Sequence, residues 1–440
     1  MIIRNTTLLS FTNLSIRENT DILIEGNRIA RIGEELCKEE RLCAVHEVIN
    51  GRGLYLIPGL VNAHAHTGMT LLRGAAEDVK VEDWFNKYIW IYEQNLTPDD
   101  VYFGTLLGAA EMLLSGVTLV ADHYFFMDRA WQAYKDIGIR ADLSWALFGT
   151  GDNWQAAYRQ ALDFSEKHIN RDPRLIISLG PHSPYICSDD FLKECVKQAE
   201  ALKIKLHIHV SEEKNQVSRS LDERGKTPLE VLHSTGILKP GTILAHAYYA
   251  TDDDLELIKQ SGAGVAHCAK TYLKFGDLHD FLPRALATGI NLAFGTDGPC
   301  SNNTMNIFEV ARDAALLAKS SVQDAESATI KKLLPLLSGG GRVLGLPGYG
   351  EISEGATADL VLIDPASPNM QPEHDVFANI LYSLGERNIH TVIVDGKVVV
   401  SNGKLVNFPL AGGMAELYNE IAKIKNRITR ACRGGPMQSY

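Results

Sequence analysis

The chain has 440 residues, 45% of them hydrophobic, and a formal net charge of −11 at pH 7. A chain of this length can bury a large core, and its acidic balance without a basic stripe argues against a surface that binds nucleic acid. We find no signal-peptide pattern and no apolar run of membrane-spanning length, so we expect a cytoplasmic protein with neither nucleic acid nor membrane as a partner. The seven cysteines are scattered without a paired framework, which predicts reduced thiols.

The two ends of the chain share one pattern. Residues 1–55 contain short segments in which apolar and polar residues alternate, and hairpin patterns of the same kind return at 358–364 and 391–400. Such alternation is typical of half-buried strands joined by tight turns. We therefore predict one small, discontinuous β-sandwich domain formed by residues 1–55 and 357–440.

The middle of the chain, residues 56–356, predicts a (β/α)8 barrel of the TIM type in the α/β class. A first strand is expected near Leu56–Ala63. Thr97-Pro98-Asp99-Asp100 then opens a helix with an N-cap, a proline in the first turn and acids at the positive end of the dipole. This helix ends at Ser115-Gly116, and a strand follows at Val117–Ala121.

The same alternation of helix and strand recurs six more times, which gives eight strands. The further helices are predicted at Met127–Gly138, Trp154–Ile169, Ser188–Lys203, Pro228–Leu238, Thr251–Gly262 and Asp280–Gly289. The strands that follow them are predicted at Arg140–Leu147, Leu175–Gly180, Ile204–Val210, Thr242–His246, Ala263–His267 and Ile290–Asp297.

Polar side chains stand where four of these predicted strands end. In His64-Ala65-His66 the alternation along a strand points both imidazoles to the same side, which makes half of a divalent-metal site. In a parallel barrel the C-terminal strand ends meet on one face, where catalytic groups gather. We therefore expect one site. Its residues are His64, His66, His209, Glu212, His246 and Asp297.

The sequence around these residues resembles the amidohydrolase superfamily, specifically the branch that contains methylthioadenosine/S-adenosylhomocysteine deaminases and triazine hydrolases. The resemblance spans nearly the whole chain and implies the barrel fold described above. Its most specific pieces are Pro58-Gly59-Leu60-Val61-Asn62-Ala63-His64-Ala65-His66, His209-Val210-Ser211-Glu212, Ala245-His246, Gly295-Thr296-Asp297-Gly298-Pro299-Cys300-Ser301-Asn302-Asn303 and the tail at 350–360.

The site residues predict metal-dependent hydrolysis. The ligands to one divalent ion, with zinc as the best match and Fe²⁺ or Mn²⁺ as alternatives, would be His64, His66, His209 and Asp297. The ion would lower the pKa of water, and Asp297 and His246 are placed to hydrogen-bond that water and accept its proton. The resemblance makes His246 a partner of the water rather than a ligand. Glu212 can carry a proton to a ring nitrogen and then to a departing amine, with loss of ammonia.

The resemblance also implies substrate contacts from Trp84, Glu93 and His182. In matching deaminases a tryptophan lies against the substrate and a glutamate binds ribose hydroxyls, and Trp84 and Glu93 stand at those positions. His182 matches a histidine that contacts the substrate ring. From the residues alone, a packed tryptophan and a surface glutamate on a helix remain open as alternatives.

One segment departs from the resemblance. Nucleoside-deaminating relatives carry His-Asn-Pro-x-Ser-Asn-x-Lys-Leu after the seventh strand, followed by a loop of small residues. This chain instead reads His267-Cys268-Ala269-Lys270-Thr271-Tyr272-Leu273-Lys274-Phe275-Gly276-Asp277, and the divergent loop runs from Cys268 to Asp277. We expect Lys270 and Tyr272 to narrow or recharge the mouth of the pocket, which leaves the substrate open. Elsewhere, we expect His207 to be a hydrogen-bonded histidine of the barrel interior and Arg140 to form a structural ion pair.

Three functions are compatible with the sequence. The first is a metal-dependent deaminase of an aminated heteroaromatic ring: an adenosine-type nucleoside, a purine base or a pterin. The second is a triazine or cyclic-amide hydrolase with the same metal, but Glu212 favours the deaminase because protonation of a ring nitrogen needs an acid. The third is a non-catalytic barrel that binds a metal or ligand, against which the acid–base residues count. The predicted partner is a small heteroaromatic molecule, and a homo-oligomer is compatible with the sequence.

Overall fold

The computed structural model describes residues 1–37, 42–151 and 153–434, and its strands form two sheets. The first five strands are β1 (Ile2–Leu9), β2 (Ile16–Glu25), β3 (Arg28–Gly33), β4 (Val48–Asn50) and β5 (Tyr55–Pro58). The next eight are β6 (Leu60–Ala65), β7 (Val117–Tyr124), β8 (Arg140–Leu147), β9 (Leu175–Pro181), β10 (Lys205–Val210), β11 (Ile243–His246), β12 (Gly264–His267) and β13 (Asn291–Phe294). The last four are β14 (Leu360–Ile363), β15 (Ile389–Val394), β16 (Lys397–Ser401) and β17 (Lys404–Leu405).

The middle eight strands, β6 to β13, form a parallel barrel in chain order. The barrel closes where the end of β13 meets β6: Ala65 and Asp297 form a parallel bridge, and the Asp297 N–H donates to the His64 carbonyl at 3.0 Å. This closure brings an aspartate that follows the last strand beside a histidine on the first. The predicted barrel is confirmed.

Helices connect the barrel strands and cover them from outside. The longer helices up to the eighth barrel strand are α1 (Pro98–Leu114), α2 (Met127–Ile137), α3 (Trp154–His168), α4 (Asp189–Leu202), α5 (Lys214–Arg224), α6 (Pro228–Thr235), α7 (Asp252–Ser261) and α8 (Phe281–Thr288). Those that follow are α9 (Ile307–Val322), α10 (Ile330–Ser338), α11 (Val376–Tyr382) and α12 (Gly413–Gly434). The α1 N-terminus is a capping box, since Thr97 and Asp100 each accept a backbone N–H from the other.

The remaining nine strands form a sheet drawn from both chain ends, as predicted. The chain-end strands meet where β5 pairs antiparallel with β14. The sheet curls back on itself, because Arg28 on β3 bridges to Thr357 just before β14. The curled sheet encloses a small apolar core that includes Ile22, Leu56 and Leu360.

Two expectations about this part of the chain are wrong. The run Leu56–Ala63 is not one strand: β5 belongs to the chain-end sheet and β6 to the barrel. The chain changes sheet at Gly59, where a Cβ would lie 2.2 Å from the Thr118 hydroxyl oxygen, so only glycine fits this close approach. The cysteines are not all reduced, because Cys37 and Cys43 form a disulfide with their Cα atoms 5.1 Å apart. The domain limits at 56 and 357 stay a prediction.

Arg140 joins the barrel to the chain-end sheet by a buried ion pair, as expected. Its guanidinium donates to both carboxylate oxygens of Asp359, at 3.0 and 3.1 Å, and to Asp395 at 3.0 Å. These carboxylates raise the pKa of Arg140 even though burial lowers it, so the side chain stays charged. Within the described ranges, every helix is too short or too polar to cross a membrane.

Candidate active site

Three histidines and one aspartate converge at the C-terminal end of the barrel. His64 and His66 lie at the end of β6, His209 at the end of β10, and Asp297 three residues after β13. Asp297 Oδ1 is 3.2 Å from His66 Nε2 and 3.5 Å from His64 Nε2, and His66 Nε2 is 3.2 Å from His209 Nε2. Each of the four predicted ligands therefore has a possible ligand atom within 3.5 Å of one on another member of the set.

Backbone carbonyls orient two of these imidazoles. The Nδ1 atom of His66 is hydrogen-bonded to the His123 carbonyl, and that of His209 to the His182 carbonyl at 3.0 Å. A carbonyl can only accept, so Nδ1 carries a proton in both rings and Nε2 is the nitrogen directed at the cluster. His64 Nδ1 contacts His207 Nε2 at 2.8 Å, which makes His207 the hydrogen-bonded interior histidine that we expected.

The cluster fits a divalent metal ion. A tetrahedral zinc site with bonds of about 2.1 Å places its ligand atoms about 3.4 Å apart, which is close to the separations in this cluster. His64 Nε2 is buried without a hydrogen-bond partner among the described residues, as a nitrogen reserved for a metal would be. Burial lowers the pKa of His64 to about 3, so its imidazole is neutral at pH 7 and keeps that lone pair.

The charge of Asp297 also favours a cation at this point. Burial lowers the pKa of His66, but the hydrogen bond to Asp297, the negative charge of that carboxylate and the hydrogen bond to the His123 carbonyl together raise it to about 9. The carboxylate thus draws positive charge into the centre of the cluster. A divalent ion would satisfy Asp297 and leave the imidazoles neutral.

Asp297 is held in place by two hydroxyl groups that sequence reasoning missed. Its Oδ2 atom accepts hydrogen bonds from the hydroxyls of Thr271, at 3.0 Å, and Ser301, at 2.8 Å. These bonds aim Oδ1 at the histidines. A signal was present, because Ser301 lies in the motif that carries the resemblance and Thr271 stands where nucleoside-deaminating relatives have serine.

Glu212 and His246 lie beside the cluster. Glu212 Oε1 is 3.6 Å from His246 Nε2. Burial, reinforced by the negative charge of Asp297, raises the pKa of Glu212 to about 8, so most of this carboxyl group is protonated at pH 7. A protonated carboxyl group beside these candidate metal ligands is suited to donate a proton to a molecule bound in the site.

A cavity of about 500 Å³ opens over the cluster and has the size of a small-molecule site. The three predicted substrate residues line it together with the acid–base groups. Its lining includes His66, Trp84, Glu93, Tyr124, Phe148, His182, His209, Glu212, His246, Phe275 and Asp297. The structure therefore places Trp84, Glu93 and His182 in the same cavity as the predicted ligands.

The substrate candidates are fixed by different contacts. The Trp84 indole N–H donates to the Cys300 carbonyl at 3.3 Å, and its ring meets Phe275 edge to face. The His182 ring stacks on Phe148 with centroids 4.9 Å apart. Glu93 is buried and accepts from the Tyr124 hydroxyl at 2.7 Å, and burial raises its pKa to about 7. Glu93 is therefore not the surface glutamate that the sequence left open.

The expectation that Lys270 and Tyr272 recharge or narrow the pocket mouth is wrong. The Lys270 amine turns away and binds the Glu309 carboxylate and the Thr304 hydroxyl. Tyr272 is 3% exposed and lies behind His246, outside the cavity lining. The segment reaches the cavity through Phe275 instead. Residue type alone could not show which side chains of this short helix, Ala269–Lys274, face outward.

Comparisons with known proteins agree with this geometry. The model of the amidohydrolase family matches residues 55–399. A 5-methylthioadenosine/S-adenosylhomocysteine deaminase from Caldanaerobacter subterraneus subsp. tengcongensis is 36% identical over 437 residues, which cover 98% of this chain and 99% of the relative. A 5'-deoxyadenosine deaminase from Methanothermobacter thermautotrophicus is 35% identical over 87% of this chain and 90% of its own length. The crystal structure of an adenosine deaminase from Xanthomonas campestris with bound zinc has a TM-score of 0.90 at 28% identity and covers 98% of both chains.

The chain belongs to the amidohydrolase family. It is a metal-dependent hydrolase that acts on carbon–nitrogen bonds, and the predicted class of deaminase is confirmed. The alternative of a non-catalytic barrel is thereby set aside.

Proposed function

We propose that this chain deaminates adenine nucleosides by hydrolysis, so that water replaces the amino group on the purine ring and ammonia is released. The names of its relatives suggest nucleosides with a modified 5′ carbon. The observation that carries the proposal is the content of one cavity, where the ligand cluster, the protonated acid Glu212 and the buried Glu93 lie together. The proton transfers need only Asp297 and Glu212, so the third carboxyl group, Glu93, is available to bind a polar part of the substrate such as ribose.

We further propose that one divalent ion, zinc as in the Xanthomonas campestris structure, is held by His64, His66, His209 and Asp297. Two overlapping groups of possible ligand atoms, His64 with His66 and His209 and His64 with His246 and Asp297, support a metal at this place. When bound, the ion supplies Lewis-acid activation of water near neutral pH. The protein supplies the proton acceptors, the proton donor and the orientation of the ring.

Two carboxyl groups divide the proton transfers. Asp297 accepts one proton of the attacking water as its oxygen adds to the amino-bearing carbon, and Glu212 donates its own proton to the adjacent ring nitrogen. The tetrahedral adduct then collapses: Asp297 passes its proton to the departing amine, which leaves as ammonia, and the hydroxyl proton of the adduct returns to Glu212. Both groups end in their starting state, and the raised pKa of Glu212 is what makes it a donor at neutral pH.

The proposed substrate contacts follow from the cavity walls. His182, held against Phe148, contacts the purine ring, and Trp84 covers the substrate from the side of Phe275. Glu93 binds the ribose hydroxyls. Since Tyr124 donates to one of its oxygens, the other oxygen is available to the sugar.

A panel of substrates tests the proposal. The zinc-loaded full-length protein would be incubated with adenosine, 5′-deoxyadenosine, 5′-methylthioadenosine, S-adenosylhomocysteine, adenine and atrazine. Ammonia release and the mass of the product would be followed for each. We expect the corresponding inosine derivatives from the nucleosides and at least 100-fold lower kcat/KM for adenine. Activity confined to adenine or atrazine would refute the nucleoside assignment, and atrazine turnover would restore the triazine alternative.

A further inference from the structure

Tyr272 contacts the active site from behind, in the segment that departs from the relatives' sequence. Its hydroxyl oxygen is 3.2 Å from Nδ1 of His246. Its ring stacks on Tyr248 with centroids 3.7 Å apart and an interplanar angle of 10°. The Tyr248 hydroxyl is itself fixed, because it accepts the backbone N–H of His279 at 2.8 Å. The Tyr272 ring is therefore held with its hydroxyl directed at His246.

The direction of this hydrogen bond can be deduced from the surroundings of Tyr272. A buried phenol hydroxyl needs an acceptor for its proton. The Cys268 backbone N–H also bonds to the Tyr272 hydroxyl oxygen, but an N–H can only donate, so His246 Nδ1 is the acceptor that the described residues offer. The hydroxyl thus donates to Nδ1, which leaves the proton of the neutral imidazole on Nε2.

The other side of the His246 ring faces the reaction. Nε2 lies 3.6 Å from Glu212 Oε1, and the ring lines the cavity. The backbone of His246 is in the left-handed region, with φ of 74°, a conformation that costs free energy and is found at functional sites. Backbone and Tyr272 together fix which nitrogen reaches the substrate.

We propose that Tyr272 is a positioning residue that holds His246 as the Nε2–H tautomer, so that His246 donates a hydrogen bond to the attacking oxygen and does not act as a base. Asp297 is then the acceptor of the water proton. The inference rests on the proposed function for its catalytic meaning and differs from the expectation above, in which His246 shares the role of acceptor. The tautomer itself is a property of the protein without substrate.

The tautomer can be measured directly. ¹⁵N-labelled histidine would be introduced into the zinc-loaded full-length protein, and His246 would be assigned from the signal missing in a His246→Asn variant. We expect Nε2 to carry the proton and Nδ1 to be a pure acceptor. In Tyr272→Phe, which keeps the stacked ring, we expect a mixture of tautomers. Tyr249→Phe is the matched control, since it removes a nearby hydroxyl that binds Asp277 at 2.6 Å and not His246. A proton on Nδ1 in the wild type, or an unchanged His246 in Tyr272→Phe, would overturn the proposal.

Kinetics provide the second readout. Removal of a group that orients a catalytic histidine costs roughly 10–100-fold in activity. We expect Tyr272→Phe to lower kcat by this factor with KM unchanged, since the hydroxyl does not line the cavity. An unaltered kcat, or a rise in KM alone, would contradict the positioning role. If no nucleoside is deaminated by the wild type, the proposed function fails while the tautomer measurement still decides the role of Tyr272.

Discussion

Replacement of Glu212 by glutamine tests the proton donor of the reaction. Glutamine has nearly the same shape as glutamate and fits the same site, but its amide cannot act as a proton donor in general acid catalysis. With a pKa of about 8, roughly ten Glu212 side chains are protonated for each ionised one at pH 7. Nearly all of the wild-type enzyme is therefore in the protonation state that can donate. We therefore expect Glu212→Gln to lose the full contribution of general acid catalysis. This corresponds to a fall in kcat of about 10²–10⁴-fold, or about 2.7–5.4 kcal/mol of transition-state stabilisation.

The role of Glu212 also predicts the direction in which activity changes with pH. The protonated form of Glu212 is the active one, so wild-type activity should be present below pH 8 and should fall as the pH rises through about 8. Stopped-time ammonia assays at a series of pH values would measure this, with metal content checked in parallel. Glu223→Gln, an exposed ion-pair residue on α5, is the matched control and should behave as the wild type. Near-normal turnover of Glu212→Gln with its metal retained would refute the role of Glu212.

Four other changes have defined outcomes. His66→Ala should lower the metal content well below that of the wild type in elemental analysis; equal content would disprove the metal site. Glu93→Ala should reduce kcat/KM roughly 10–100-fold for nucleosides and leave adenine unaffected, and an equal loss for both would refute the ribose contact. Thr271→Val should weaken metal retention against a chelator roughly 10–100-fold, by freeing Asp297. Arg140→Met leaves the buried carboxylate of Asp359 and the partly buried one of Asp395 without their cation, and should lower the free energy of unfolding in urea by about 3–5 kcal/mol; a loss under 1 kcal/mol would contradict the structural role of this ion pair.

Local signals were sufficient for the regular part of the barrel. The predicted strand Arg140–Leu147 has the observed bounds, and the predicted helix Met127–Gly138 ends one residue beyond α2, since its last residue is the left-handed C-cap. Such segments carry their own periodicity and caps, so the sequence contains what is needed to place them. The candidate metal ligands were equally visible in the sequence, because each stands at or just after the end of an apolar strand.

The features that escaped prediction depend on distant contacts. The helix α5 has no buried residue and therefore no apolar stripe to reveal it. The residues on both sides of Pro58-Gly59 are apolar, so hydrophobicity alone does not show that the two halves belong to different sheets. The direction of Lys270 is set by Glu309, 39 residues away, and the support of Asp297 by Thr271 exists only once the barrel has closed. Tertiary pairing of this kind leaves no period in the sequence.

The pairing of β5 with β14 has a consequence for how the chain is made. Tyr55–Pro58 lies beside Leu360–Ile363, a partner that is synthesised roughly 300 residues later. At about 5–20 residues per second, the N-terminal strands wait roughly 15–60 s on the ribosome with an unpaired apolar edge. A growing chain in this state is open to wrong pairing with its neighbours. We therefore expect slower translation to lower the yield of folded protein and added chaperones to raise it. Both effects should be larger than for a barrel whose neighbouring strands are all consecutive in the chain.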